Sequence, residues 1–197
     1  VLTFSGIRKP AVLQKLVQAL AWQVGQEVTY TEVAELVGLD HKTVSEYIDI
    51  LEQAYVVFRL PAFSQNLRNE IKRRHKIFFF DNGVRNAVIG HYRPFAQRDG
   101  RERGALWENF LLSERYKRLR YERCRVRMHF WRTKQQQEVD YVEVDAETIR
   151  GFEFKYNPNK TIRFPSIFTQ QYGDDVKGVH RGNFREFVRA DAESLPS

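Results

Sequence analysis

The sequence predicts an α+β fold in two domains, residues 1–95 and 96–197. Three observations predict it. Between Lys9 and Ala54, apolar residues recur at helical spacing, then give way to short β-branched and aromatic runs at Val56–Leu60 and Lys76–Phe80. Arg101 to Arg120 carries one long helical pattern, with Leu106, Trp107, Phe110, Leu111 and Leu112 as its apolar stripe. Beyond it, Gln137–Val142 and Gly151–Lys155 alternate acids with apolar residues at the two-residue period of a strand.

In the first half, Lys9–Val24 is expected to be a helix burying Val12, Leu13, Leu16, Val17, Leu20 and Ala21. Pro10 is tolerated in its first turn, and Gly25 ends it. Thr31 is expected to cap a short second helix with Val33, Ala34, Leu36 and Val37 inward and Gly38 at the turn. Asp40 is expected to cap a third helix, His41–Ala54. Short helix, glycine turn and longer helix make a helix-turn-helix. The two strands that follow, with the basic segment Asn66–His75 between them, complete a winged helix-turn-helix domain.

Such a third helix would present His41, Lys42, Ser45 and Glu46 to a DNA groove. From His41 to Gln53, however, Lys42 stands against Glu46, Asp49 and Glu52, a formal charge of −2. An acidic helix repels phosphate, so nonspecific backbone contact through Lys72, Arg73 and Arg74 is favoured over base reading. The alternative is a module that packs as a rigid relay between domains. Arg85–Gly100, punctuated by Gly90, Pro94 and Gly100, is expected to connect the halves.

In the second half, Glu138 and Asp140 share one strand face, and Glu153 and Lys155 share another. Paired as a hairpin in the right register, Asp140, Glu153 and Lys155 converge. Two carboxylates hold a hard divalent cation such as Mg²⁺ or Mn²⁺ through oxygen. An adjacent ammonium orients a water or neutralises charge developing on a phosphate. The same alternation marks any half-buried antiparallel hairpin with a solvated acidic face, so the strands alone leave both readings open. Glu108, beside the buried stripe of the long helix, would turn two acids into three. Phe164–Tyr172 and Asn183–Arg189 are expected to be late helices flanking a strand at Lys177–His180.

A helix with Glu108, a strand with Asp140 and a strand reading Glu153-Phe154-Lys155 resembles the restriction-endonuclease-like PD-(D/E)xK pattern, with Val139 at the place of the proline. More narrowly, Gly104-Ala-Leu-Trp-Glu108-Asn-Phe, Trp131-Arg132, Glu138-Val-Asp140 and Glu153-Phe-Lys155, preceded by the Lys76–Val84 line, resemble the C-terminal region of a prokaryotic AAA-type P-loop ATPase family. The resemblance spans nearly the whole chain. It implies a restriction-endonuclease-like α/β domain with a mixed central sheet. It implies Asp140 and Glu153 as metal ligands with Glu108 as the helix acid, Lys155 as the catalytic lysine, and a parent ATPase as partner. Members of this superfamily also serve in binding or assembly, so a non-catalytic module docking the parent onto nucleic acid or a protein partner is the alternative function.

No Gly-xxxx-Gly-Lys-Ser/Thr segment occurs, so no nucleotide site of that kind lies in these residues. The chain starts at Val1 and is expected to be the C-terminal part of a longer protein. Fifteen Phe, nine Tyr and three Trp supply bulk for compact cores. The single Cys124 allows no internal disulfide, which fits a cytoplasmic location. His41, His75, His91, His129 and His180 show no metal-ligand spacing. No apolar run reaches bilayer length, so no membrane is expected as a partner. The net charge of +7 favours nucleic acid. It clusters in two blocks: Arg68, Lys72, Arg73, Arg74 and Lys76, then Arg115, Lys117, Arg118, Arg120, Arg123, Arg125 and Arg127. The second is expected beside the acid site, with Arg118 and Arg125 on phosphate.

Overall fold

The computed structural model describes residues 10–63, 75–146 and 148–189. Lys72, Arg73 and Arg74, the core of the expected wing, lie outside the described residues, as do Val1–Gly6 and Ser194–Ser197. Among the described residues the fold is α+β, with two sheets.

Helix α1 (Pro10–Trp22) buries Leu16, Ala19, Leu20 and Ala21. A short strand β1 (Glu27–Val28) leads into α2 (Tyr30–Val37). The cap of α2 is Thr29, not Thr31. Its hydroxyl accepts from the Glu32 N–H while the Glu32 carboxylate accepts from the Thr29 N–H. The helix therefore starts two residues earlier than expected, and Leu36 turns outward, 61% exposed. Gly38 ends α2 at φ +70°, a left-handed conformation that glycine adopts without strain. Asp40 caps α3 (His41–Gln53), accepting from Thr43 N–H at 2.9 Å.

Strands β2 (Val57–Pro61) and β3 (His75–Phe79) pair antiparallel, and β1 pairs with the start of β3 on its other side. The connector is not the open loop that its Gly, Pro and charge suggested. Asp81 caps α4 (Asn82–Val88), and a 3-10 turn follows at Phe95–Gln97. Two of its arginines, Arg85 and Arg98, are buried and converge on Glu102 at 2.9 and 2.6 Å. A buried guanidinium needs such a carboxylate, so these charges hold the connector down.

Helix α5 (Gly100–Tyr121) runs into β4 (Arg127–Arg132), a strand hidden in the sequence by its arginines. β4, β5 (Glu138–Val144) and β6 (Ile149–Phe154) are antiparallel neighbours. After α6 (Ser166–Tyr172), β7 (Val176–Val179) joins β6 in parallel, so this four-stranded sheet is mixed. Helix α7 (Phe184–Val188) packs Phe187 against Tyr141, Phe152 and Phe154.

The two sheets meet where β2 ends. Ala62 bridges Phe130 of β4, and Phe63 N–H donates to the Phe130 carbonyl at 2.6 Å. One apolar cluster runs from Leu16 and Ile48 through Phe78 and Leu111 to Tyr141 and Phe154. The acid-bearing helix and hairpin thus share a core with the N-terminal helices.

The free side of β3 is closed without a strand. Gly25 N–H donates to the Ile77 carbonyl at 3.1 Å. Two residues on, Asn109 of α5, fully buried, accepts from Phe79 N–H at 2.7 Å and donates to the Phe79 carbonyl at 2.9 Å. The side-chain amide does what a neighbouring strand would do. Asn109→Ala leaves both Phe79 groups buried and unpaired, so we expect a loss of about 2–5 kcal/mol, read as a lowered urea midpoint. An unchanged midpoint would mean that Asn109 does not support this edge.

Candidate functional site

Gly100, Gly104 and Glu108 lie four residues apart on α5, so they share one face. That face lines a cleft of about 370 Å³ with Asp140, Phe154, Lys155 and Tyr156, and Arg103 and Lys160 also line it. A methyl added at Gly100 or Gly104 would meet nothing within 4 Å. The two glycines leave the helix side of the cleft open down to Glu108.

The hairpin supplies the rest. Tyr141 stands opposite Phe152, and this register carries Asp140 to Glu153. Asp140 Oδ2 accepts from Phe154 N–H at 2.7 Å. Lys155 Nζ donates to Glu153 Oε1 at 2.5 Å. The other carboxylate oxygen, Glu153 Oε2, is buried and accepts no hydrogen bond among the described residues. Trp107 Nε1 is likewise a buried donor with no acceptor among the described residues.

Glu108, Asp140, Glu153 and Lys155 therefore gather as expected, but a residue that the sequence reading assigned to a surface patch joins them. Lys76 of β3 is only 5% exposed at its side chain. Its ammonium lies 3.0 Å from Glu108 Oε1 and 2.6 Å from Glu138 Oε1. Glu138 in turn faces Arg132, which pairs with Glu27 at 2.9 Å. The signal was present in the strand: Lys76 and Phe78 share a face by the two-residue period, and Phe78 is fully buried. A charge on an apolar strand face means a buried partner.

The electrostatics follow from the burial. Burial, then the neighbouring Asp140 and Glu138, push the Glu108 carboxyl up to about 7, against the pull of Lys76. Burial raises Asp140 as well, partly offset by Lys76 and the Phe154 N–H. Burial and Asp140 raise Glu153. Burial opposes charge on Lys76, but Glu108, Glu138 and Asp140 outweigh it and its pKa rises. Lys155 rises too, its burial outweighed by Glu153 and Asp140. Four carboxylates, Glu108, Glu138, Asp140 and Glu153, against the ammonium groups of Lys76 and Lys155 leave a formal −2 when all are ionised. Among the described residues no three His, Cys, Asp or Glu are disposed around one metal position. Glu108 is turned to Lys76. Asp140 and Glu153, with the unpartnered Glu153 Oε2, are the pair whose oxygens suit a hard cation.

The second basic block divides. Arg115 is bidentate to buried Glu143 at 2.6 and 2.9 Å, and Lys117 pairs with Glu114. Arg118 holds Glu122 at 3.0 Å and the Glu186 carbonyl at 2.7 Å. These brace α5. Arg125 is exposed, at the opposite end of α5 from the cleft rather than beside it.

The fold and cleft define an α+β protein with a buried acid–lysine cluster between a helix and a mixed sheet. Comparison with known proteins finds relatives without a stated activity. Residues 1–93 match the family described as domain of unknown function DUF8612, and residues 103–190 match domain of unknown function DUF4143. An uncharacterized protein of Mycobacterium tuberculosis is 30% identical over 159 residues, 80% of this chain and 35% of the relative. An uncharacterized protein of Mycobacterium bovis matches to the same extent. One from Haemophilus influenzae is 29% identical over 91 residues, 44% of this chain and 23% of the relative. The chain thus spans about a third of the length of the mycobacterial relatives. No solved structure gives a significant match. No helix among the described residues is long and apolar enough to cross a membrane.

Because Glu108 is raised in the folded state, folding tightens its proton. The stability from that group is complete below the ordinary carboxylate range and is lost as pH rises through about 7. The melting temperature of the wild type minus that of Glu108→Gln is therefore expected to fall between about pH 5 and about pH 8. A flat or rising difference would show that the Glu108 carboxyl is not raised to about 7.

Proposed function

We propose that the chain is a nucleic-acid-associated part of an AAA-type ATPase, with a winged-helix N-terminal half and a PD-(D/E)xK-like C-terminal domain that hydrolyses phosphodiesters with Mg²⁺ or Mn²⁺. The observation that carries it is the meeting of Asp140, Lys155 and Glu108 at one cleft, with Glu153 behind them holding Lys155 and its Oε2 buried and without a hydrogen bond among the described residues. The parent ATPase is supported by the short span of the chain on its relatives and by the known occurrence of DUF4143 in AAA-ATPase-associated proteins.

Asp140 and Glu153 would hold the cation, with Glu108 reaching it through water. When bound, a divalent cation supplies Lewis acidity and lowers the pKa of a bound water. The chain's own groups do the rest. Lys155, held by Glu153, directs its ammonium into the cleft, where it orients a water and offsets charge developing on phosphate. Arg103 and Lys160 at the cleft attract the phosphate backbone. Trp107 Nε1 offers a further donor.

A second reading, a non-catalytic docking module, is favoured by one observation. Lys76 already neutralises Glu108 and Glu138 from within the chain.

Titration of Mn²⁺ into the purified chain by calorimetry decides between them. The nuclease reading expects saturable binding that Asp140→Ala abolishes. It also expects cleavage of DNA or RNA to fall by about 10²-fold or more in Lys155→Ala, with the melting temperature unchanged. A folded protein that binds no Mn²⁺ is a docking module. Parallel loss of activity and melting temperature would make Lys155 structural.

A further inference from the structure

The four arginines at the far end of α5 lie where no carboxylate of the described residues answers them. Arg120, Arg123, Arg125 and Arg127 line a groove of about 650 Å³ with Arg59 and Tyr116, and no Asp or Glu lines it. Arg59 is engaged by Asp49 and Glu52, but the other four make no ion pair among the described residues. A second hollow of about 720 Å³ shares Tyr116 and Arg120 with the first and adds Tyr55, Tyr121 and Lys117, again with no acid. Tyr55 is 71% exposed and Tyr121 79% exposed. Arg120 lies over the Tyr116 ring at 5.0 Å.

Backbone geometry marks the same surface independently. Among the described residues, three other than glycine have positive φ, and two of them, Tyr55 at 55° and Arg123 at 54°, line these hollows. Side chains with a Cβ resist that conformation, and such strain concentrates at functional sites. Here it aims a tyrosine and an arginine at one concave face. The bland account is that arginines near a helix C-terminus complement its dipole, but that effect ends within the last turn. Arg125 and Arg127 lie beyond the helix, and the exposed rings are outside its scope.

We infer that the joined hollows around Arg120, Arg123, Arg125, Arg127, Tyr55 and Tyr121 bind single-stranded nucleic acid. Guanidinium groups track the backbone, and exposed tyrosines stack unpaired bases, which a duplex keeps stacked on each other. The inference rests on the nucleic-acid reading above and adds a separate binding site. From Glu108 to Arg120 the helix rises about 18 Å at 1.5 Å per residue, so groove and cleft are distinct.

The test is fluorescence anisotropy with a labelled oligothymidylate of roughly 12 nucleotides. The buffer contains EDTA, so failure of the cleft to bind metal leaves the result intact. Wild type and Asp140→Ala are expected to bind alike. Arg125→Glu/Arg127→Glu, exposed positions that leave the melting temperature unchanged, should abolish binding at moderate salt. Replacing both by alanine should reduce the salt slope by about 1.4. Tyr121→Ala should weaken binding by about tenfold. Binding untouched by the charge reversals, or lost in Asp140→Ala, overturns the groove as the site. A duplex bound as tightly as the single strand, with Tyr121→Ala silent, overturns the single-strand assignment. Full displacement by polyglutamate at equal charge points to an acidic protein partner and overturns it as well.

Discussion

The buried ammonium of Lys76 is the constraint around which the molecule is arranged. It comes from a strand of the N-terminal half and ends between two carboxylates of the C-terminal half, 3.0 and 2.6 Å away. An ammonium taken out of water this far costs several kcal/mol unless its partners are held in place. The partners are held by α5 and β5, and those elements carry Asp140 and the open glycine face of the cleft. The acid cluster is therefore a property of the whole chain. A C-terminal half without β3 would keep four acids against one lysine, and mutual repulsion would splay them.

Charge on α5 is sorted along its length. Glu102 sits in its first turn, where the dipole is positive, Glu108 lies six residues further in, and the arginines with no ion pair among the described residues begin near its C-terminal end. Between them, Arg115, Lys117 and Arg118 spend their charge on Glu143, Glu114 and Glu122. A count of basic residues treats all seven alike. The carboxylate that each one meets decides whether it braces the fold or stays available.

What could be read from the sequence followed from local rules. Asp40 as a cap, Gly38 as a left-handed stop and the period-two acids of β5 and β6 need only their neighbours to be recognised. The approach of Glu108 to Asp140 was legible because each lies on a clearly periodic element. Two of the misreadings depend on a partner distant in sequence. Lys76 looked solvated because Glu108 and Glu138 lie far along the chain. The connector looked loose because Arg85 finds Glu102, seventeen residues on, only in three dimensions. β4 was hidden because its arginines flank a short apolar centre at Phe130 and Trp131. Thr29 against Thr31 is a local choice. Both are threonines with the right reach, and the reciprocal bond from Glu32 selects the earlier one.

Asn109 bears on more than the edge of β3. Successive residues on an α-helix are separated by about 100° of azimuth. A helix packed by apolar contacts alone can roll by part of that angle, because such contacts lack direction. The amide of Asn109 keys α5 to the two backbone groups of Phe79, like a spline on a shaft. With that angle set, the next residue back, Glu108, has one heading, into the cleft. The aim of the acid is thus governed by a neutral neighbour that never enters the cleft.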